Sequence, residues 1–237
     1  MSVKLIAFDL DGTLTQHKTP LEPANRAVLE RLRQKYRLLM VGAGGVRRIF
    51  SQLGGFPLDI IGNYGLQEGR YDPDTGDITL VRDVTVACDR ETVDRRMTAL
   101  RRQSGCTEYA GENVEFHPSG SVTLPMLGTR AQAADKLAFD PDRSKRRAIL
   151  PAVREAFPEY ITFVGGSSSF DLAPKPYDKY YALSRYCEEQ GIAHSEVVYC
   201  GDDYGPGGND ESVARSGIRF VQVDDYTRLG EYLQEFL

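Results

Sequence analysis

Two carboxylates near the start of the chain have a spacing that suits phosphoryl chemistry. Asp9 and Asp11 follow an apolar run at residues 3–8, and Gly12 comes directly after them. Side chains alternate along a strand, but a turn beyond its end lets both acids face one crevice. Two such carboxylates repel each other unless a hard cation such as Mg²⁺ lies between them. One acid can then attack phosphorus while the other transfers a proton.

An ordinary turn is the alternative interpretation of this segment, since Asp and Gly are common turn residues. A calcium-binding EF-hand loop is excluded, because it needs Gly at its sixth position and Glu at its twelfth. Counted from Asp9, the glycine is the fourth residue and the twelfth is Pro20. On these residues alone, the turn and the catalytic interpretations both stay open.

A second acidic segment follows a later apolar run, residues 197–200. Asp202 comes two residues after that run, and a glycine-rich turn then leads to Asn209 and Asp210. Asp202 is the natural third protein ligand for Mg²⁺, and Asn209 and Asp210 can hold the ion or orient its waters. The alternative is a loop of turn-forming residues whose acids are solvated.

Lys179 is a candidate for neutralising charge at such a site. It lies at the start of a predicted helix, directly after Asp178. An ammonium group there can stabilise the attacking carboxylate and the charge on a transferring phosphoryl group. Most lysines at helix starts are simply solvated, and Lys175, four residues earlier, competes for the same role.

The elements around these residues alternate between strands and helices. This rhythm predicts an α/β fold with a Rossmann-like, doubly wound parallel-sheet core. Ligands in such sheets bind beyond the carboxyl ends of the strands, where Asp9, Asp11 and the turn at residues 42–45 fall. The predicted core elements are strands 3–8, 36–41, 58–61, 197–200 and 218–223, and helices 23–33, 46–53, 178–190 and 211–216.

From about residue 82 the pattern changes to helices mixed with short extended pieces. This texture predicts an inserted α+β cap domain with a largely antiparallel sheet. We therefore expect a core at 1–82 and 175–237, with the cap at 83–174. The predicted cap elements are helices 91–103 and 142–157, and strands 114–116, 121–124, 160–164 and 169–173.

The composition is that of an ordinary globular protein and restricts the partners. The 237 residues are 41% hydrophobic and 27% charged, with a net charge of −5, which argues against a nucleic-acid surface. No apolar run approaches the length of a membrane span, and the short N-terminal run ends in acids. Four scattered cysteines without a Cys-x-x-Cys pair indicate reduced thiols. We expect a soluble, cytoplasmic protein with no nucleic-acid or membrane partner, and a homodimer is left open.

Taken together, these segments resemble the motifs of the HAD (haloacid dehalogenase-like) superfamily, in its type IIB or Cof-like branch. The resemblance covers essentially the whole chain and is closest to the eukaryotic-type phosphomannomutases. It implies that Asp9 is the nucleophile and Asp11 the general acid/base. It also implies that Lys179 contacts the phosphoryl group, and that Asp9, Asp202 and the backbone carbonyl of Asp11 hold Mg²⁺. The segments that carry it are residues 9–15, 165–171, 177–179 and 205–210.

The resemblance also implies a set of substrate-binding residues in the cap. Ser169 and Asp171 match residues that contact the substrate, and Arg130 retains one of the arginines that hold the phosphate not being transferred. Lys18, His117 and Lys136 align with other members of that arginine set. The remaining arginine-rich stretches are predicted to be solvated helix faces; they are residues 95–96, 101–102 and 143–147.

One motif departs from the family pattern, and this departure shapes the expected function. Gly44 takes the place of a Ser or Thr that holds a phosphate oxygen in the family, so we expect backbone N–H groups of Gly42, Gly44 and Gly45 to bind the phosphate. Where lysine replaces arginine, the bidentate fork of the guanidinium is lost and the second phosphate site is weakened. A weakened second phosphate site favours hydrolysis over the phosphomutase reaction. We therefore expect a Mg²⁺-dependent HAD-type phosphatase that acts on a sugar phosphate, or a similar phosphometabolite, through an aspartyl-phosphate. The alternatives are a phosphomannomutase, which interconverts mannose 6-phosphate and mannose 1-phosphate, and a non-catalytic HAD-fold binding protein.

Overall fold

A computed structural model describes residues 2–237. They contain eleven strands and eight α-helices. The strands are β1 (Leu5–Phe8), β2 (Arg37–Val41), β3 (Asp59–Gly62), β4 (Gln67–Asp72), β5 (Asp77–Asp83), β6 (Glu115–Phe116), β7 (Val122–Pro125), β8 (Tyr160–Phe163), β9 (Ser169–Pro174), β10 (Val197–Gly201) and β11 (Arg219–Gln222). The helices are α1 (Pro23–Leu32), α2 (Val46–Gln52), α3 (Arg90–Ser104), α4 (Ala133–Phe139), α5 (Ser144–Ala156), α6 (Lys179–Gln190), α7 (Glu211–Ala214) and α8 (Leu229–Tyr232).

The chain forms two compact units. The core unit comprises the residues up to 84, together with 178–205 and 210–237, and the inserted unit comprises 85–177 and 206–209. The division expected from the sequence counts residues 206–209 with the core, whereas their contacts group them with the inserted unit.

The core unit contains a seven-stranded sheet in the order β11-β10-β1-β2-β3-β4-β5. The five strands from β11 to β3 are parallel, and β4 and β5 add an antiparallel hairpin at one edge. The sheet confirms the predicted α/β class. The hairpin is absent from the sequence expectation because most of its side chains are polar, those of β4 being mostly half-buried and those of β5 mostly exposed.

Strand β1 lies in the middle of this sheet, and its four residues are all buried. Ile6 and Phe8 pack in one apolar cluster with residues of α1 and α2. Leu5 and Ala7 pack in a second cluster with residues of α6. Because successive side chains of a strand point to opposite faces, this alternation shows helices covering both faces of the sheet.

The inserted unit contains a four-stranded antiparallel sheet in the order β6-β7-β9-β8. Helices α3 and α5 contribute apolar residues to its core, among them Met97 and Val153. Helix α4 is absent from the sequence expectation, and it buries no residue.

Two arginines correct the expectation that the arginine-rich helices are wholly solvated. Arg101 and Arg146 are 2% and 1% exposed. Burial of a guanidinium is tolerated only where its N–H groups find acceptors, and both side chains donate to several backbone carbonyls. Those carbonyls belong to Cys106, Asn113, Pro125 and Met126 for Arg101, and to Asp140, Gly165, Gly166 and Ser169 for Arg146.

Across residues 2–237, no helix combines the length and the apolar character that crossing a bilayer requires. Cys88, Cys106, Cys187 and Cys200 are free thiols.

Candidate active site

Two neighbouring parallel strands deliver Asp9 and Asp202 to the same edge of the core sheet. Phe8 of β1 is level with Cys200 of β10, and the Asp9 N–H donates to the Cys200 carbonyl at 2.9 Å. Asp202 directly follows the last residue of β10. The carboxyl ends of both buried strands therefore carry an acid to the place where α/β sheets bind ligands.

Gly12 makes the approach of Asp202 sterically feasible. Its φ of +100° is a conformation that side-chain-bearing residues rarely adopt, and a Cβ there would lie 2.6 Å from Cγ of Asp202. The next residue, Thr13, is buried and its Oγ1 donates to Oδ1 of Asp202 at 3.2 Å. The turn that follows Asp9 therefore also contacts Asp202.

Lys179 is fully buried at the first residue of α6 and joins two acids. Its Nζ lies 2.6 Å from Oδ1 of Asp9 and 2.8 Å from Oδ1 of Asp210. Asp210 also accepts hydrogen bonds from the Tyr199 hydroxyl at 2.6 Å and from the Asp203 N–H at 3.1 Å. Asp210 therefore anchors the lysine that contacts Asp9. Lys175, the competing lysine, is exposed.

The carboxylates of Asp9, Asp202 and Asp210 form an acidic cluster, each offering an oxygen within 4.8 Å of the others. Burial raises the pKa of Asp9 well above its usual range, and the charges of Asp210 and Asp202 add to this against the opposing effect of Lys179. Burial and the charge of Asp210 also raise the pKa of Asp202. Burial disfavours the ammonium of Lys179, but Asp210 and Asp9 outweigh it and raise the pKa of this side chain.

This donor set fits a hard divalent cation. All the candidate ligands are carboxylate oxygens, which Mg²⁺ prefers. An added positive charge would oppose the burial and the neighbouring negative charges that raise the pKa values of Asp9 and Asp202. Asn209, which the sequence assigns to the metal as well, is a half-buried turn residue of the inserted unit.

The Asp11 carboxylate is held separately from the acidic cluster. Its Oδ1 accepts from the Gln52 side-chain amide and from the Lys18 N–H, both at 2.8 Å. Its Oδ2 lies 3.8 Å from Nη2 of Arg48 and 3.9 Å from Nδ1 of His17. Gln52 and Arg48 are neighbours of this acid that the sequence analysis misses, because only the packing of α2 brings them there.

The glycine-rich turn at residues 42–45 corrects one expected phosphate contact. The N–H of Gly42 donates to the Ile61 carbonyl at 2.9 Å as a continuation of the β2–β3 pairing, so this N–H is not available to a phosphate. The N–H groups of Gly44 and Gly45 have no acceptor within residues 2–237. These two remain suitable donors to an anion.

The candidate substrate residues of the inserted unit lie in two places. Ser169 and Asp171 are on one face of β9, where Oδ1 of Asp171 accepts from the Thr123 hydroxyl at 3.0 Å. That hydroxyl oxygen also lies 3.0 Å from Nε2 of His117. The second place is next to Thr129. Arg130 directly follows Thr129 and is exposed. Nζ of Lys136 lies 3.4 Å from the carbonyl oxygen of Thr129.

Solved structures with this fold include a nucleotidase and a phosphatase. An N-terminally truncated IMP-nucleotidase of Plasmodium falciparum superposes with a TM-score of 0.67 at 14% identity, covering all of this chain and 70% of that one. A phosphatase of the HAD superfamily from Bacteroides thetaiotaomicron gives a TM-score of 0.64 at 16% identity, covering 99% and 95%. These likenesses show that the chain has the fold of the HAD-type phosphatases and nucleotidases.

Sequence comparison specifies the family. Residues 25–221 match the model of the eukaryotic phosphomannomutase family, and the chain belongs to this family. The phosphomannomutase of Saccharomyces cerevisiae is 27% identical over 217 residues, which cover 88% of this chain and 84% of the relative. That of Encephalitozoon cuniculi is 24% identical over 257 residues, covering 98% and 94%.

Proposed function

We propose that this protein is a Mg²⁺-dependent phosphotransferase that acts on a sugar phosphate through a covalent phosphate on Asp9. The observation that carries the proposal is the contact between Asp9 and the buried Lys179, inside a cluster of carboxylates that fits a divalent cation. Asp11 lies two residues along and is held by its own hydrogen bonds, which suits a separate role in proton transfer.

The reaction takes place in two displacements at phosphorus. An oxygen of Asp9 attacks the phosphoryl group, the bond to the sugar oxygen breaks, and Asp11 gives that oxygen its proton. Asp11 then takes a proton from the acceptor, whose oxygen attacks the aspartyl-phosphate and releases Asp9. When the acceptor is water, the products are the sugar and inorganic phosphate.

The remaining core residues stabilise charge. Lys179 holds Asp9 in place and neutralises the charge that develops on the phosphoryl oxygens, and the N–H groups of Gly44 and Gly45 donate to those oxygens. We assign the metal to Asp9, Asp202 and the backbone carbonyl of Asp11, with Asn209 and Asp210 in support. When bound there, Mg²⁺ supplies positive charge to the carboxylates and the phosphoryl group.

The inserted unit is proposed to act as a cap that binds the sugar through Arg130, Lys136, Ser169 and Asp171. Water is the acceptor we favour, because Lys18, His117 and Lys136 stand where the family resemblance implies arginines, and lysine and histidine lack the guanidinium fork. We further propose that the enzyme works in the cytoplasm, in keeping with its free thiols, as a monomer or a homodimer without nucleic-acid or membrane partners.

The second candidate is phosphomannomutase activity, which the family match over residues 25–221 and the names of the relatives favour. Both candidates share the aspartyl-phosphate, and in the mutase a sugar phosphate replaces water as the acceptor. Arg130 with Lys136 is the feature that would hold the second phosphate.

One incubation separates the two candidates. Purified protein and Mg²⁺ are mixed with mannose 1-phosphate, with and without a trace of glucose 1,6-bisphosphate, while inorganic phosphate and mannose 6-phosphate are followed together. Release of phosphate without the bisphosphate supports the phosphatase. Mannose 6-phosphate that forms faster with the bisphosphate, with little free phosphate, establishes the mutase. An Asp9→Asn variant that is as active as the wild type in either reaction contradicts the aspartyl-phosphate itself.

A further inference from the structure

Arg48 occupies the space next to Gly44 that a side chain at residue 44 would need. A Cβ on Gly44 would lie 2.5 Å from Cζ of Arg48, so the guanidinium lies directly against the glycine-rich turn. Nη1 of Arg48 donates to Oε1 of Gln52 at 2.7 Å, and the amide of Gln52 donates to Asp11. Arg48 is therefore oriented by the same residue that holds Asp11.

The other terminal nitrogen of Arg48 has the position of an anion-binding donor. Nη2 lies 3.8 Å from Oδ2 of Asp11, which is beyond hydrogen-bond distance. The side chain is 45% exposed, so an incoming ligand can reach it. The planar fork of a guanidinium matches the oxygens of a phosphoryl group, and the N–H groups of Gly44 and Gly45 lie in the adjoining turn without a protein acceptor in residues 2–237.

The charges of the core site also favour such a role. Lys179 is the buried cation among the acids Asp9, Asp202 and Asp210. A phosphoryl group brings further negative charge, so a guanidinium at its edge reduces the repulsion that the carboxylates exert on it.

We propose that Arg48 binds the transferring phosphoryl group from the side of Asp11, and that residue 44 is glycine because any side chain there displaces this guanidinium. The inference deepens the proposed function and rests on it for the identity of the phosphoryl donor. Arg48 on α2 would then contact the phosphate oxygen that a Ser or Thr hydroxyl at residue 44 would otherwise hold.

The test measures binding of inorganic phosphate in the presence of Mg²⁺ by calorimetry, together with Mg²⁺-dependent hydrolysis of a sugar phosphate. The variants are Arg48→Ala, Arg48→Lys, Gly44→Ala and the double variant Gly44→Ala with Arg48→Ala. Gly44 does not have a positive φ, so alanine is compatible with its backbone. Arg47→Ala is the matched control, because Arg47 is the preceding residue, carries the same charge and pairs with the exposed Asp77.

We expect Arg48→Ala to weaken phosphate binding by roughly 10- to 100-fold, the range for a lost hydrogen bond between charged groups. Arg48→Lys should recover part of the loss. Gly44→Ala should weaken binding in the wild type but add nothing in the Arg48→Ala background, since both changes act through one guanidinium. Arg47→Ala should bind phosphate as the wild type does.

Each of three results would overturn the proposal: no phosphate binding by the wild type, equal binding by Arg48→Ala, or an equal loss in Arg47→Ala. Additive losses in the double variant would overturn the role given to Gly44. Phosphate binding that depends on Arg48, without any hydrolysis or mutase activity, would instead refute the proposed function and leave Arg48 as an anion-binding residue.

Discussion

At the scale of single residues, Lys179 links Asp9, the proposed nucleophile, to Asp210. Asp9 and Asp210 are both buried, and each is within hydrogen-bond distance of the Lys179 ammonium. Asp210 also accepts hydrogen bonds from the Tyr199 hydroxyl and from the N–H of Asp203. Tyr199 and Asp203 therefore orient Asp210, Asp210 orients the Lys179 ammonium, and the ammonium contacts Asp9.

The first prediction concerns Lys179→Met, which keeps an unbranched side chain one atom shorter than lysine but removes its charge. Without Mg²⁺, two buried carboxylates lose their cation, and the free energy of unfolding should fall by about 3–5 kcal/mol. Phosphatase turnover with Mg²⁺ should fall at least about 100-fold, as expected for loss of a preorganised charge. Chemical denaturation and steady-state kinetics measure the two effects.

The control for that prediction is Lys175→Met, since Lys175 is exposed and lies four residues earlier. Its stability and turnover should stay close to those of the wild type. Normal turnover in the Lys179→Met protein, or loss of turnover in the Lys175→Met protein, would show that the proposed role of Lys179 is wrong.

At the scale of elements, the pairing of β1 with β10 brings two acidic segments to one edge, and the turn after β1 permits their close approach. Gly12 combines a left-handed backbone with a close approach to Asp202. Gly191 ends α6 with a similar left-handed backbone, at φ +64°, but a Cβ there meets nothing within 4 Å. The two glycines share the backbone requirement and differ in the close contact.

The second prediction compares alanine at these two glycines. Gly191→Ala should lower the free energy of unfolding by about 1–2 kcal/mol, which is the cost of a left-handed alanine. Gly12→Ala should cost more and should also weaken Mg²⁺ binding, because the added Cβ displaces Asp202. Denaturation with and without Mg²⁺, and Mg²⁺ titration by calorimetry, report both quantities. Equal stability losses with unchanged Mg²⁺ affinity would show that the turn does not control the acid.

The elements also show which parts of the fold a sequence can predict. Strands β1 and β10 are apolar runs that stop at acids, so both their existence and the position of Asp9 and Asp202 follow from local pattern. The hairpin β4–β5 and helix α4 leave no such pattern, since one is largely polar and the other buries nothing.

Long-range contacts explain the site residues that pattern does not predict. Arg101 and Arg146 lie four residues from the buried Met97 and Leu150, so helical spacing places them on the buried faces of α3 and α5 although their charge suggests solvation. Carbonyls from other segments accept their N–H groups there. Gln52 and Arg48 look like ordinary surface residues of α2 until the helix packs beside Asp11. The unavailable N–H of Gly42 likewise depends on the pairing of β2 with β3.

At the scale of the whole molecule, folding shifts the pKa values of buried carboxyl groups in opposite directions in the two units. In the core unit, burial raises the pKa values of Asp9 and Asp202, so without a cation their ionised forms oppose folding at neutral pH. In the inserted unit, Asp140 and Arg146 form a pair with both side chains at most 1% exposed. Burial acts to raise the pKa of Asp140, but hydrogen bonds from Arg146 and Lys145 outweigh it and lower this pKa below its ordinary value of 3.8.

The third prediction follows from the sign of the shift at Asp140. A carboxyl whose pKa is lowered by folding stabilises the folded state above its unfolded pKa, and that stability is lost as the pH falls through the folded pKa. At pH 7, Asp140→Asn should lower the free energy of unfolding by about 3–5 kcal/mol, because it leaves the buried Arg146 without its anion. The difference from the wild type should persist down to about pH 4 and shrink below it, as Asp140 of the wild type takes up a proton.

The measurement is urea denaturation of both proteins from pH 7 to pH 3, with hydrogen exchange to assign the change to the inserted unit. Asp142→Asn is the matched control, since Asp142 lies two residues along and its carboxylate is exposed, accepting from the Ser144 N–H. Its effect should be small, and any effect should be confined to local exchange at the start of α5. A loss for Asp140→Asn that is the same at pH 3 as at pH 7 would mean that the asparagine disturbs packing and that the charge of Asp140 contributes nothing. A loss of stability confined to low pH would show that folding raises the pKa of Asp140, contrary to the direction derived from its pair with Arg146.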